Sequence, residues 1–107
     1  MTPKQTKAQA ISQCLLAITD YYEVPPERLL SEIPYQGSAV KNARNMLICH
    51  LRRSGMSFES IGRLVKRSVD CVRTGNHQAV IRMLPEEQAL FDALPSIPST
   101  LSLTQTQ

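Results

Sequence analysis

Ile11, Leu15, Ile18 and Tyr22 recur at intervals of 4, 3 and 4 residues, one apolar stripe with the period of an α-helix. Thr2 followed by Pro3 supplies a start, a capping hydroxyl and then a proline where a missing N–H costs nothing. The first helix is therefore expected from residue 3 to residue 22 or 23. Val24-Pro25-Pro26 stops it, because a proline disfavours the α conformation in the residue before it. Residues 27 to 31 allow a short second helix with Leu29 and Leu30 facing inward. Pro34 and Gly37 mark residues 33 to 37 as a loop.

Ser38 is placed to cap a third helix running to about residue 53. Val40, Ala43, Met46 (or Leu47) and Leu51 follow its inward face, with Lys41, Arg44 and Arg52 on other faces. Ser54-Gly55 ends it, glycine being favoured in a left-handed C-terminal cap. Ser57 caps a fourth helix, 58 to about 64, with Phe58, Ile61 and Leu64 (or Val65) as its buried stripe. After the short basic break Val65-Lys66-Arg67, Ser68 caps a fifth helix, and Asp70 suits the positive end of its dipole. Val69, Val72, Asn76, Ala79 (or Val80) and Met83 carry that helix to about residue 84. Pro85 breaks the chain, and residues 86 to 94 form a last short helix. From Pro95 the sequence turns polar and proline-bearing, and 95–107 is expected to be a disordered tail. The pattern predicts an all-α chain of five to six helices in one domain, 1–94, without strands or internal repeats.

Composition agrees with that picture and excludes several others. A chain of 107 residues with 42% hydrophobic residues suits one core and is too apolar for wholesale disorder. No apolar run approaches the roughly 20 residues that span a bilayer, so no membrane partner is expected. Residues 1–10 hold two lysines and no leucine-rich stretch, which argues against a signal peptide and for a cytoplasmic protein. Cys14, Cys49 and Cys71 are odd in number, widely spaced and without a CxxC, which argues against a disulfide framework. His50 and His77 lie 27 positions apart with no cysteine pair set out for zinc. No metal, no cofactor and no catalytic residue is expected: there is no glycine-rich phosphate loop, and Glu59 and Asp70, the only acids of the basic segment, lie 11 positions apart.

Charge changes the picture most. Residues 41–82 hold nine basic side chains (Lys41, Arg44, Arg52, Arg53, Arg63, Lys66, Arg67, Arg73 and Arg82) against two acidic ones, a net charge of +7. The remainder holds three against seven, a net charge of −4. A half-chain this basic is the footprint of a nucleic-acid surface. The alternative is an ordinary solvated face of helical arginines.

Residues 57–84 have the layout of a helix-turn-helix: a short helix, a turn of three or four residues, and a second helix with basic residues at its entry. The alternative is an ordinary helical hairpin. In a helix-turn-helix the N-terminal residues of the second helix reach base edges in the major groove. Here these are Arg67, Ser68, Val69, Asp70, Cys71 and Arg73. Gly62 sits where the first helix must let the second pass closely, a packing reason to accept about 1 kcal/mol of lost helix propensity.

The same residues carry a resemblance. Ile18-Thr19-Asp20-Tyr21-Tyr22-Glu23-Val24 with Leu29-Leu30-Ser31 looks like the opening helix and "xxLL" turn of the C-terminal DNA-binding domain of DnaA, the bacterial replication initiator. Arg44 and Met46 match its "VARPRQM" helix start, where Asn42 and Ala43 stand for an arginine and the proline. Ser57, Ile61 and Gly62 match its "SLPEIG", and Arg67 and Val72 match its "RDHTTV". The resemblance runs from about residue 18 to residue 82 and includes no ATPase domain. It implies a Trp repressor-like helix-turn-helix fold and a bacterial or phage-encoded regulator of replication or transcription. Ser68-Val69-Asp70-Cys71 replaces the family's box-reading signature, and Glu32-Ile33-Pro34-Tyr35-Gln36-Gly37 holds none of the arginines of its minor-groove loop. These departures point to a different DNA site.

The expectation is a double-stranded DNA-binding protein that is not an enzyme. Phosphate contacts would come from Lys41, Arg44, Arg63, Lys66, Arg67 and the N–H groups at the start of the fifth helix. Arg73 is the candidate for a bidentate guanine contact. Asp70 would either cap its helix or accept from a cytosine amino group, and Cys71 or Val69 would touch a thymine methyl, unless Val69 is core. Arg52 and Arg53 would complement the dipole of the third helix. A homodimer, through the first helix or the 86–94 helix, and an adaptor that contacts replication or transcription proteins remain as alternatives.

Overall fold

The computed structural model describes residues 6–31 and 37–98. Those residues form six helices and no strand: α1 (Lys7–Tyr22), α2 (Pro26–Leu29), α3 (Ser38–Arg53), α4 (Phe58–Val65), α5 (Val69–Arg82) and α6 (Pro85–Ala93). Thr2, Pro3, most of the 32–37 loop and residues 99–107 lie outside the described residues.

Helix α1 starts at Lys7, later than residue 3, because Thr6 is extended (φ −75°, ψ 162°) and acts as the cap. Its hydroxyl accepts the Gln9 amide at 3.1 Å while the Gln9 side chain accepts the Thr6 amide at 2.9 Å, a closed capping box. The buried stripe is Ala10, Cys14 and Ile18, with Ile11, Leu15 and Tyr22 flanking it half-buried. Glu23 takes a left-handed conformation and closes the helix before the two prolines.

Helix α3 is the centre of the fold and packs against α1, α2, α4 and α5. Val40, Ala43, Met46, Leu47, Ile48 and Leu51 are all buried, more of the circumference than a single amphipathic stripe. The cap of α3 is Gly37 (φ 91°), and Ser38 is the first helical residue rather than the cap, so the helix starts one position earlier than the sequence pattern indicates. At the other end Gly55 (φ 103°) lets its own amide reach Arg52 O at 3.0 Å and the Met56 amide reach Leu51 O at 3.2 Å. That pair of hydrogen bonds is a Schellman closure, and it turns the chain sharply into α4.

Helices α4 and α5 each begin on a serine cap, with Ser57 Oγ accepting the Ser60 amide at 3.1 Å and Ser68 Oγ the Cys71 amide at 3.2 Å. Lys66, Arg67 and Ser68 form the turn between them, with Lys66 left-handed (φ 59°). Ile61 and Val65 of α4 and Val72 of α5 are fully buried against α3. Helix α5 ends at Arg82, and Val80 is exposed, so Ala79 is the inward residue of that pair.

Residues 95 to 98 are not a free tail. Ile97 is 6% exposed and Leu94 7% exposed, and both belong to the core. The Pro95 carbonyl accepts from His50 Nε2 at 2.8 Å and from the Cys14 thiol at 3.4 Å. This segment straps α1 to α3 and extends the packed unit beyond residue 94.

Candidate nucleic-acid interface

The α4–turn–α5 unit is held at its waist by Gly62. Its carbonyl accepts the Arg67 amide at 2.9 Å. A Cβ at this position would lie 2.7 Å from Arg67 O and 3.7 Å from Val72 Cγ2, so the turn passes where a side chain would stand. Gly75 plays a similar part between α5 and α3, where a Cβ would meet Asn45 Oδ1 at 2.6 Å and Ile48 Cδ1 at 3.2 Å. The sequence pattern singles out only the first of these glycines, although an isolated glycine inside a helical pattern is itself a sign of close packing.

With the inward side of α5 set by Val72, Gly75 and Ala79, its outer side is fixed. Asp70, Arg73, Thr74 and His77 are exposed there, followed by Val80 and Ile81. Ser68 and Cys71 are exposed at the amino end, and Val69 is half-buried. The sequence pattern does not single out Thr74 and His77 as site residues, but their spacing of 4 and 7 residues from Asp70 places them on the same stripe. Arg73 is exposed, yet its guanidinium leans back to 5.6 Å from the centre of the Phe58 ring, which Arg52 also covers at 4.5 Å.

Around the turn, Arg63 and Lys66 are exposed, and Arg63 Nη2 donates to Ser60 Oγ at 3.3 Å. These two, with Glu59, Gly62, Arg67, Ser68 and Val69, line a shallow hollow at the amino end of α5. Lys41, exposed on α3, lines a groove of about 640 Å³ between the start of α3 and α5, together with Asn45, Cys71, Thr74 and Gln78.

Four of the nine basic residues in the 41–82 segment serve the fold. Arg44 is 8% exposed, and its Nε donates to Leu29 O at 3.2 Å. Arg67 Nη1 donates to Ser31 O at 2.6 Å and to Lys66 O at 2.9 Å. The two guanidinium groups thus bind carbonyls at the carboxyl end of α2, a four-residue helix that cannot satisfy them itself. Burial, and then the charge of Arg67, hold Arg44 below the ordinary arginine range. Arg52 donates to Met56 O at 3.0 Å. Arg53 lies 3.6 Å over the Phe91 ring, donates to Phe91 O and to His50 Nδ1, and pairs with Asp92 at 3.9 Å. The phosphate role expected of Arg44 is therefore replaced by an internal one, because a long side chain on a buried helix can aim its charge at a neighbour's carbonyls.

Besides Arg52 and Arg53, whose guanidinium groups bond to the fold, the exposed cations of this segment are Lys41, Arg63, Lys66, Arg73 and Arg82. Arg63, Lys66 and Arg73 share the α4–turn–α5 unit with the outer stripe of α5. Among the described residues no three His, Cys, Asp or Glu side chains gather as a metal-binding group. No described helix is long and apolar enough to cross a membrane. Comparison with protein-family models, curated proteins and solved structures gives no match to this chain.

Proposed function

We propose that this chain is a double-stranded DNA-binding module in which α4, the turn and α5 act as a helix-turn-helix, without catalysis. The observation that carries the reading is the joint placement of exposed Arg63 and Lys66 beside the open amino end of α5. Helix amides and a flanking cation are a fitting pair for a phosphate, and the adjoining stripe of α5 is the part that would face base edges. In this reading Lys41, Arg63 and Lys66 hold phosphates. Ser68, Asp70, Cys71 and Arg73 read bases, joined by Thr74 and His77. Arg73 reaches a guanine by leaving the Phe58 ring. The resemblance to the DnaA C-terminal domain supports a role in replication or transcription control, at a site other than the initiator's own box.

Selection of bound duplexes from a random library tests this directly. The expected result is one enriched motif, bound with an affinity that falls with salt at a log–log slope of about −3 to −4, from three or four phosphate contacts at about −0.9 each. No enrichment at low salt would overturn it. One observation favours a second reading, an adaptor that contacts replication or transcription proteins. Internal use of Arg44 and Arg67 leaves a smaller cationic surface than the sequence charge suggests.

A further inference from the structure

The carboxyl end of α5 presents apolar side chains to solvent. Val80 is 65% exposed, Ile81 59% and Leu84 54%, all within five positions where α5 passes into α6. Tyr21, 41% exposed, adjoins this region: its ring stands edge-on to Tyr22 at 4.9 Å, and the Tyr22 hydroxyl donates to Glu87 at the start of α6. Scattered apolar residues on a surface are ordinary, but several in one short stretch mark a contact site.

Charge indicates which partner fits. Arg82 at the end of α5 and Glu86 at the start of α6 are exposed on either side of Leu84, and no ion pair joins them to another described residue. A patch that carries one positive and one negative rim charge about an apolar centre is complementary to itself when rotated by a two-fold axis. We propose that this surface is an isologous dimer interface: Val80, Ile81 and Leu84 of two copies of this chain meet, and Arg82 of each copy faces Glu86 of the other. The Asp70-to-His77 part of the same helix stays outside the contact, toward its amino end. This contact involves the protein alone and needs no DNA.

Sedimentation velocity over a range of concentrations, in low salt, reads the assembly. Wild type is expected to shift from monomer toward dimer as concentration rises. Ile81→Asp removes the apolar centre and is expected to stay monomeric, while its circular dichroism, the position being exposed, matches wild type. The decisive arms are Arg82→Glu and Glu86→Arg. Each variant alone sets two like-charged pairs across the axis and dimerises about tenfold or more weakly. Mixed in equal amounts, they restore both opposite-charge pairs and are expected to regain near wild-type association as a heterodimer. A wild type that stays monomeric at the highest concentration overturns the proposal. So does a mixture that associates no better than its components.

Discussion

The Gly62 carbonyl accepts the Arg67 amide at 2.9 Å, and the Arg67 carbonyl oxygen stands 2.7 Å from where a Cβ on residue 62 would lie. The two residues are locked from both sides, so the angle between α4 and α5 is set by backbone against backbone. Gly62→Ala would gain about 1 kcal/mol of helix propensity and lose about 2–3 kcal/mol to overpacking. A net loss of about 1–2 kcal/mol is expected in urea unfolding. Gly75→Ala should cost less, since its nearest contact is the end of the Asn45 side chain rather than backbone.

Lys66 would separate stability from the proposed DNA binding. It is left-handed at φ 59°, a conformation that costs a residue with a Cβ about 1–2 kcal/mol. Lys66→Gly should leave the fold as stable or raise it by up to about 1 kcal/mol. If the proposed DNA binding holds, the same change removes one phosphate contact, and the salt slope of binding should fall by about 1. Thermal unfolding and a salt titration of affinity, run on one sample, check both halves.

Arg44→Ala should behave in the opposite way. It leaves Leu29 O without its donor on a buried helix end, a loss of about 1–3 kcal/mol in stability. The salt slope should stay at the wild-type value, measured below the variant's unfolding temperature.

His50 gives the fold a pH dependence. Its Nε2–H donates to Pro95 O, and its Nδ1 accepts from Arg53 Nε at 2.9 Å, so the ring is neutral in the fold. Burial pushes its pKa below the ordinary 6.5; the Pro95 carbonyl opposes this, and the Arg53 charge adds to it. The stabilising effect is complete above pH 6.5 and is lost as pH falls from there toward the folded-state value, because the unfolded chain takes up the proton first. The urea midpoint should fall between pH 7.5 and 5.5 in wild type and change less in His50→Gln, whatever that variant's absolute stability.

Much of the fold is legible in the sequence because its helices are bounded by local chemistry. Ser57, Ser68, Gly55 and Pro85 each act within a few residues of themselves. The first helix shows the limit of such signals. A threonine followed three residues on by glutamine occurs at Thr2 and Gln5 and again at Thr6 and Gln9, and spacing alone does not choose between them. The candidate site is less legible for a related reason. The stripe of α5 follows from periodicity, but charge in a sequence has no direction. Arg44 and Arg67 read there as phosphate ligands, whereas α2, too short to close its own hydrogen bonds, draws both inward. The packing of Ile97 was hidden because one apolar residue among prolines and serines has no period.

The Pro95 strap also bears on how the domain is made. Pro95 O is the acceptor for two buried groups, one 45 and the other 81 residues earlier in the chain. At roughly 5–20 residues per second, the ribosome adds Pro95 about 2–9 s after His50 and about 4–16 s after Cys14. During that interval the central helix must either bury an imidazole that lacks its carbonyl or keep that face open. Closure of α1 onto α3 through Pro95 is thus completed only after α4 and α5 have been synthesised.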